Sequence, residues 1–182
     1  MVLNQFFQKK GPFPLKEIIK TINCTNGFSK LNNLEIFDIE TLSKAGKNNI
    51  TFFNSSKYKD FALKTNAAAC ITSFNLSQFL PDKCINLNVK NILLAVTQVS
   101  KMFYPKADMD FPDENLLKSE DVKNLYSNVK FGKNVLIGKN VKIWKNSQIG
   151  SNSIIESNVN IGENCIIGSF VTIRNSLIFN NV

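Results

Sequence analysis

The chain has 182 residues, of which 43% are apolar, and this is enough to bury a core in one large or two small domains. Its 22 basic and 14 acidic residues give a net charge of +8, but the lysines are scattered singly, so we interpret the excess as a solvated surface rather than a nucleic-acid site. The chain contains no histidine, which excludes His-ligated zinc and His-activated nucleophiles within these residues, and we expect no metal or other cofactor.

Four cysteines occur without metal-ligand spacing, and we interpret them as buried thiols in a reducing compartment: Cys24, Cys70, Cys84 and Cys165. The sequence has no apolar run of 18 residues, and its N-terminus lacks a basic start followed by an apolar stretch. These features predict a cytoplasmic protein without a transmembrane segment.

The first hundred residues predict a small α/β domain. Apolar residues at helical spacing predict helices over 14–22 and 91–104, and Asn91 is the expected cap of the second. Tyr58, Phe61 and Ala62 also repeat at helical spacing. Alternating or continuous apolar runs predict strands at 34–36, 50–53, 67–71 and 85–89. Strands alternating with helices are typical of a mixed α/β layer.

A linker is predicted over residues 105–122, which contain Pro105, Pro112 and several acidic residues. The predicted domains are therefore 1–104 and 123–182.

From Val129 onward the sequence repeats every six residues, in what we interpret as nine unbroken hexads. The first position of each hexad is small or branched: Val129, Val135, Val141, Ser147, Ser153, Val159, Cys165, Val171 and Leu177. The third position is large and apolar: Phe131, Ile137, Ile143, Ile149, Ile155, Ile161, Ile167, Ile173 and Phe179. The last position is Asn in six consecutive hexads: Asn134, Asn140, Asn146, Asn152, Asn158 and Asn164.

This spacing predicts a left-handed parallel β-helix. Two inward side chains separated by one outward side chain make a three-residue strand, because side chains alternate with a period of two. The other three residues must turn a corner, and Gly and Asn adopt strained backbone angles most readily. Three strands and three corners close one coil, so nine hexads predict three coils.

An α/β domain followed by hexads resembles the UDP-3-O-acylglucosamine N-acyltransferase family of lipid A synthesis. The most specific stretch runs from Ile50 to Tyr58 (Ile-Thr-Phe-Phe-Asn-Ser-Ser-Lys-Tyr). The resemblance implies that Phe52 and Tyr58 sandwich the uracil ring of a uridine nucleotide. In the family an Asn hydrogen-bonds the uracil edge, but this sequence has Ser55 there, so either Ser55 or the preceding Asn54 takes that role. Without the resemblance, Phe52 would be interpreted as strand core and Tyr58 as a half-buried helix residue.

The resemblance also implies a reaction. The family transfers a 3-hydroxyacyl chain from acyl carrier protein to the 2-amine of UDP-3-O-acylglucosamine, and its members are homotrimers. Their catalytic base is a histidine in later coils, which nothing here matches, so we assign no catalytic residue to this chain. Because the sequence ends on a hexad boundary without a terminal cap, we expect a fragment that is inactive alone.

Two other functions remain open. Another hexapeptide sugar acyltransferase, such as UDP-N-acetylglucosamine O-acyltransferase, shares the repeat, but that enzyme starts directly with hexads. A non-catalytic solenoid used for assembly is consistent with the lack of histidine, since a repeat scaffold does not imply function.

Overall fold

The computed structural model describes residues 6–26, 34–107 and 113–182. Contacts divide these residues into two compact units: residues 7–107 form the N-terminal unit, and residues 113–182 together with Phe6 form the C-terminal unit. A small α/β region is thus followed by a left-handed parallel β-helix, which confirms the predicted fold class. None of the helices in the described ranges is long and apolar enough to cross a membrane.

The N-terminal unit is built from short strands and helices. In chain order these are β1 (Phe13–Pro14), α1 (Leu15–Thr21), β2 (Glu35–Ile36), β3 (Asp38–Ile39), β4 (Asn49–Phe52), α2 (Lys59–Leu63), β5 (Ala69–Thr72), α3 (Phe74–Ser77), β6 (Ile85–Asn88) and α4 (Ile92–Phe103). A 3₁₀ turn, Ser56–Tyr58, leads into α2. Strands β3, β4, β5 and β6 form a parallel sheet in that order, and β1 pairs antiparallel with β2.

Both faces of the parallel sheet are covered. One face packs with α1 and α4 around a core that includes Ile50, Ile71 and Leu87. The other face forms a smaller core around Phe53 and Cys70. A strand that is buried on both sides of a parallel sheet is nearly continuously apolar, which explains why the central strand β5 shows no alternation in the sequence.

The two predicted helices are confirmed as α1 and α4. Asn91 caps α4, since its side-chain oxygen accepts a hydrogen bond from the amide of Leu94 at 3.0 Å. The sequence did not predict α3, β1 or β3, because elements of two to four residues are too short to show a period.

The C-terminal unit begins with a strand and a helical turn, followed by nine strands of two residues each. These are β7 (Leu117–Lys118), α5 (Ser119–Val122), β8 (Lys130–Phe131), β9 (Leu136–Ile137), β10 (Lys142–Ile143), β11 (Gln148–Ile149), β12 (Ile154–Ile155), β13 (Asn160–Ile161), β14 (Ile166–Ile167), β15 (Thr172–Ile173) and β16 (Leu177–Ile178). Three parallel sheets result, with the orders β8-β11-β14, β9-β12-β15 and β10-β13-β16.

The isoleucine ladder faces inward as predicted. The side chains from Ile137 to Ile173 at the third hexad position are all buried, and so are Ser147, Ser153 and Cys165 at the first position. The buried serines are satisfied: the hydroxyl of Ser147 donates to the carbonyl of Gly162 at 2.8 Å, and that of Ser153 donates to Gly168 at 2.9 Å.

Asn and Gly have different roles at the corners, which corrects the prediction that both supply unusual backbone angles. The asparagines from Asn128 to Asn164 that end each repeat have φ between 55° and 65°, in the left-handed region that Asn tolerates. The hexad glycines are not left-handed. A Cβ on Gly132 would lie 2.5 Å from the amide nitrogen of Ser151 in the next coil, so glycine is required there for close approach of two backbones.

The same asparagines stack into ladders along the corners. Asn134 donates to Asn152 at 3.1 Å, Asn140 donates to Asn158 at 3.2 Å, and Asn146 donates to Asn164 at 3.1 Å. Each asparagine therefore both turns its own coil and bonds the coil above.

One repeat near the end of the chain has five residues, so the prediction of nine unbroken hexads is wrong. The left-handed positions fall at Phe170 and Asn175, only five residues apart, and next at Asn181. In agreement, Asn160 pairs with Leu177, 17 residues on, whereas Gln148 pairs with Ile166, 18 residues on.

Because this repeat is one residue shorter than a hexad, different side chains point inward after it. Ile178 packs against the helix core, while the predicted core residues Leu177 and Phe179 point outward, Phe179 with 79% of its surface exposed. A one-residue change of register exchanges the two faces of a strand, so a sequence pattern counted in sixes must fail from this corner onward.

Part of the predicted linker is folded onto the first coil. Strand β7 pairs antiparallel with β9, and in α5 the side chain of Val122 enters the helix core. Tyr126 stacks edge-on against Phe131 at 5.8 Å and donates to the carbonyl of Val141 at 3.2 Å. Residues 117–126 thus cover the open edge and apolar end of the solenoid, as repeat folds require.

The ladder predicts unequal effects of the same substitution at two isoleucines. Ile155→Asp buries a carboxylate at a fully buried site and is expected to destabilise the C-terminal unit by more than about 3 kcal/mol. Ile166→Asp is the control, since that side chain is 70% exposed, and should change stability by less than about 0.5 kcal/mol. Urea unfolding measures both, and equal losses would contradict the inward assignment.

The shifted register makes a sharper prediction. Ile178→Asp is expected to lower the melting temperature clearly more than Phe179→Asp, because Ile178 packs inward and Phe179 is exposed. Uninterrupted hexads predict the opposite order. Thermal unfolding followed by circular dichroism distinguishes the two registers.

Candidate functional site

The segment from Phe52 to Tyr58 leaves the carboxyl end of β4. Ligands of open parallel sheets characteristically bind outside the carboxyl ends of strands. Phe52 is partly buried against the core shared with α1 and α4, whereas the next side chain, Phe53, is fully buried on the opposite face. The chain therefore leaves the sheet with one aromatic side chain fixed on each side.

Ser55 shapes the turn that follows β4. Its hydroxyl oxygen accepts a hydrogen bond from the amide of Lys57 at 3.4 Å, and its carbonyl accepts one from the amide of Tyr58 at 3.0 Å. This cap starts the 3₁₀ turn that places Tyr58 at the entrance to α2. The hydroxyl of Ser55 is thus partly committed to local structure.

Asn54 and Tyr58 are accessible to solvent. Asn54 is exposed, and no described residue hydrogen-bonds its side chain. Tyr58 has 46% of its surface exposed. Of the four predicted site residues, Phe52 and Ser55 are thus partly fixed by the fold, while Asn54 and Tyr58 present free polar or aromatic surface. The assignment of these four residues to a uridine site stays a prediction.

A partly buried charge network, which the sequence did not predict, lies at the amino end of the parallel strands. Asp38 accepts hydrogen bonds from the hydroxyl of Tyr104 at 2.9 Å and from the ammonium of Lys9 at 3.3 Å. Burial and the adjacent carboxylate raise the pKa of Tyr104 to about 12, so this phenol is neutral at physiological pH. Asp38 pairs with Asn49 at the start of β4. The network therefore stabilises the amino end of this strand, whereas the candidate site lies at its carboxyl end.

Cys70 and Cys84 are not activated nucleophiles. Burial raises the pKa of Cys84 to about 11 and also raises the pKa of Cys70, so both thiols are protonated at neutral pH. Cys84 lies on the wall of a cleft of about 500 Å³ beside α3. Cys24 is half-buried rather than buried, and its thiol donates to the carbonyl of Asn88 at 3.3 Å.

Comparison with known families covers both units. Residues 33–102 match the family model of UDP-3-O-(3-hydroxymyristoyl) glucosamine N-acyltransferase. The N-terminal unit is therefore similar to the domain that this family model describes. Residues 128–162 and 145–175 match the bacterial transferase hexapeptide repeat.

Individual relatives agree with the family model. The chain is 30% identical over 105 residues to the UDP-3-O-acylglucosamine N-acyltransferase of Rickettsia prowazekii, and 32% identical over 104 residues to that of Rickettsia rickettsii. Each alignment covers 57% of this chain and 30% of the relative. The aligned part is therefore under a third of the length of each relative. The residues that match the transferase hexapeptide repeat follow those that match the N-acyltransferase model.

Proposed function

We propose that this chain is part of an enzyme that moves a 3-hydroxyacyl chain from acyl carrier protein to the 2-amine of UDP-3-O-acylglucosamine in the cytoplasm, and that its N-terminal unit binds the uridine. The match to the family model and the similarity to the Rickettsia N-acyltransferases support the reaction class. The observation that carries the uridine assignment is the Phe52–Tyr58 segment at the carboxyl end of β4.

The aromatic residues supply the binding surface in this proposal. Uracil is a flat ring, and stacking on an aromatic side chain contributes about 1 to 3 kcal/mol per base. Phe52 is held by the core, so little conformational entropy is lost when a ring packs on it. Tyr58, on the capped turn, would close the other side.

Asn54 is the better candidate for recognising the uracil edge. That edge presents both a donor and acceptors, and a side-chain amide offers the complementary pair. The hydroxyl of Ser55 already accepts from the amide of Lys57, whereas the amide of Asn54 is exposed. Ser55 would then act by shaping the turn.

A family member of this kind would work as a homotrimer, which would bring neighbouring β-helices together around the reacting groups. The exposed Trp144 is an outward-facing apolar side chain on the β-helix and would be available for such packing.

The uridine assignment is tested by titration with UDP-N-acetylglucosamine, followed by the amide NMR signals of residues 50–60. The double variant Phe52→Leu with Tyr58→Ala removes both rings while keeping apolar volume in the core, and it is expected to abolish the shifts. Phe61→Leu is the control, because that neighbouring aromatic is 54% exposed but lies outside the segment.

The outcomes separate the roles of the four residues. Asn54→Ala is expected to weaken binding about tenfold, the usual cost of leaving a base edge unpaired. Ser55→Ala should have a smaller effect. Undiminished shifts in the double variant would rule out the stacking arrangement.

Transfer activity gives a second prediction. The 182-residue chain has no histidine, so the proton released when the amine attacks the thioester has no imidazole acceptor, a loss of typically 10²- to 10⁴-fold. We expect no measurable transfer from 3-hydroxyacyl carrier protein to UDP-3-O-acylglucosamine by this chain. The Rickettsia prowazekii relative is the positive control. Turnover by the chain close to the control rate would show that another residue acts as the base.

A further inference from the structure

We propose that Thr72 is a positioning residue for the uridine-binding segment, an inference that rests on the proposed function. Thr72 ends β5, the strand beside β4, and its side chain is fully buried. Its hydroxyl donates a hydrogen bond of 3.0 Å to the carbonyl of Phe53, the first residue beyond β4.

This bond acts where the segment leaves the sheet. The amide of Phe53 donates to the carbonyl of Ile71 at 2.9 Å, which is the last backbone bond between β4 and β5. Beyond it the ladder stops, and among the described residues no strand partner donates a backbone hydrogen bond to the carbonyl of Phe53. The hydroxyl of Thr72 takes the place of that partner and extends the pairing by one bond through a side chain.

The consequence is a fixed direction for the residues that follow. With both its amide and its carbonyl bonded, and its ring packed edge-on against Phe79 at 6.4 Å, Phe53 cannot rotate without breaking buried contacts. Phe52 and Asn54 are joined directly to this fixed residue. The cap at Ser55 holds the far end of the same turn, so the segment is held at both ends.

Thr72 is itself held by the next strand. Its carbonyl accepts a hydrogen bond from the amide of Val89 at 2.9 Å, just after β6. The positions of three successive strand ends are therefore linked from Val89 through Thr72 to Phe53. Neither Phe53 nor Thr72 would contact the nucleotide, and their effect on binding would pass through Phe52 and Asn54.

Thr51 provides a matched control in the same sheet. It pairs with Cys70, two residues before Thr72, so the side chains of Thr51 and Thr72 lie on one sheet face. Both threonines are fully buried, but the hydroxyl of Thr51 has no hydrogen-bond partner among the described residues. Replacing each by valine removes one buried hydroxyl at nearly constant volume, and only one of the two hydroxyls holds the segment.

The experiment measures the affinity for UDP-N-acetylglucosamine by NMR titration, together with hydrogen exchange of the amides from Asn54 to Tyr58. Thr72→Val is expected to weaken binding about fivefold or more and to speed exchange in this turn, because the carbonyl of Phe53 is left unpaired. Thr72→Ser keeps the donor, and Thr51→Val removes a hydroxyl that has no partner. Both should bind within about twofold of the unmodified chain.

The outcomes distinguish the two proposals. If the unmodified chain does not bind the nucleotide, the proposed uridine site fails and this inference fails with it. If the unmodified chain binds but Thr72→Val binds equally well, only the role of Thr72 is overturned. Should Thr72→Val be unfolded, the serine variant decides: loss of affinity with the hydroxyl in place contradicts the positioning role, and retained affinity supports it.

Discussion

Parallel pairing between very short strands is the interaction on which both units depend. The strands that pair in parallel have only two to four residues, so each contributes few backbone hydrogen bonds and is stable only within a stack. In the N-terminal unit four such strands form one sheet buried on both faces. In the C-terminal unit nine form three sheets around one core.

This constraint has different consequences in the two units. In the β-helix every strand must begin directly above its neighbour, so the corner length determines which side chains are buried. One five-residue repeat, Val171–Asn175, is enough to turn Phe179 outward. In the α/β unit the four strands of the parallel sheet end at the same edge. There the chain between Phe52 and Tyr58 is fixed by side-chain bonds that take over where strand pairing ends.

Sequence patterns predicted the elements that repeat or are long enough to show a period. The inward isoleucines and the capped helix after Asn91 both follow from spacing and cap chemistry, and the structure has both. The five-residue repeat that ends at Asn175 could not be predicted from the sequence. In the register that the structure has, Ser176 and Ile178 fill the first and third positions of the next repeat, and with uninterrupted hexads Leu177 and Phe179 fill them. Both pairs of residues suit these positions. The pairing of Asn160 with Leu177 in the neighbouring coil selects the register in which Ile178 points inward.

The candidate site was predictable only through resemblance. Phe52 and Tyr58 are aromatic residues in and just after an apolar strand, and such residues usually form core. Thr72 gave no sequence signal, because its bond to Phe53 joins two strand ends that are distant in the chain. Positioning contacts of this kind depend on strand register, and register is a property of the folded sheet.

The central functional claim is that the carboxyl end of β4 holds a uridine. A crystal structure of this chain with UDP-N-acetylglucosamine tests it most directly. The account predicts electron density for the uracil ring between the rings of Phe52 and Tyr58, with its edge facing Asn54. A uracil ring bound elsewhere, with neither aromatic side chain in contact, would contradict it.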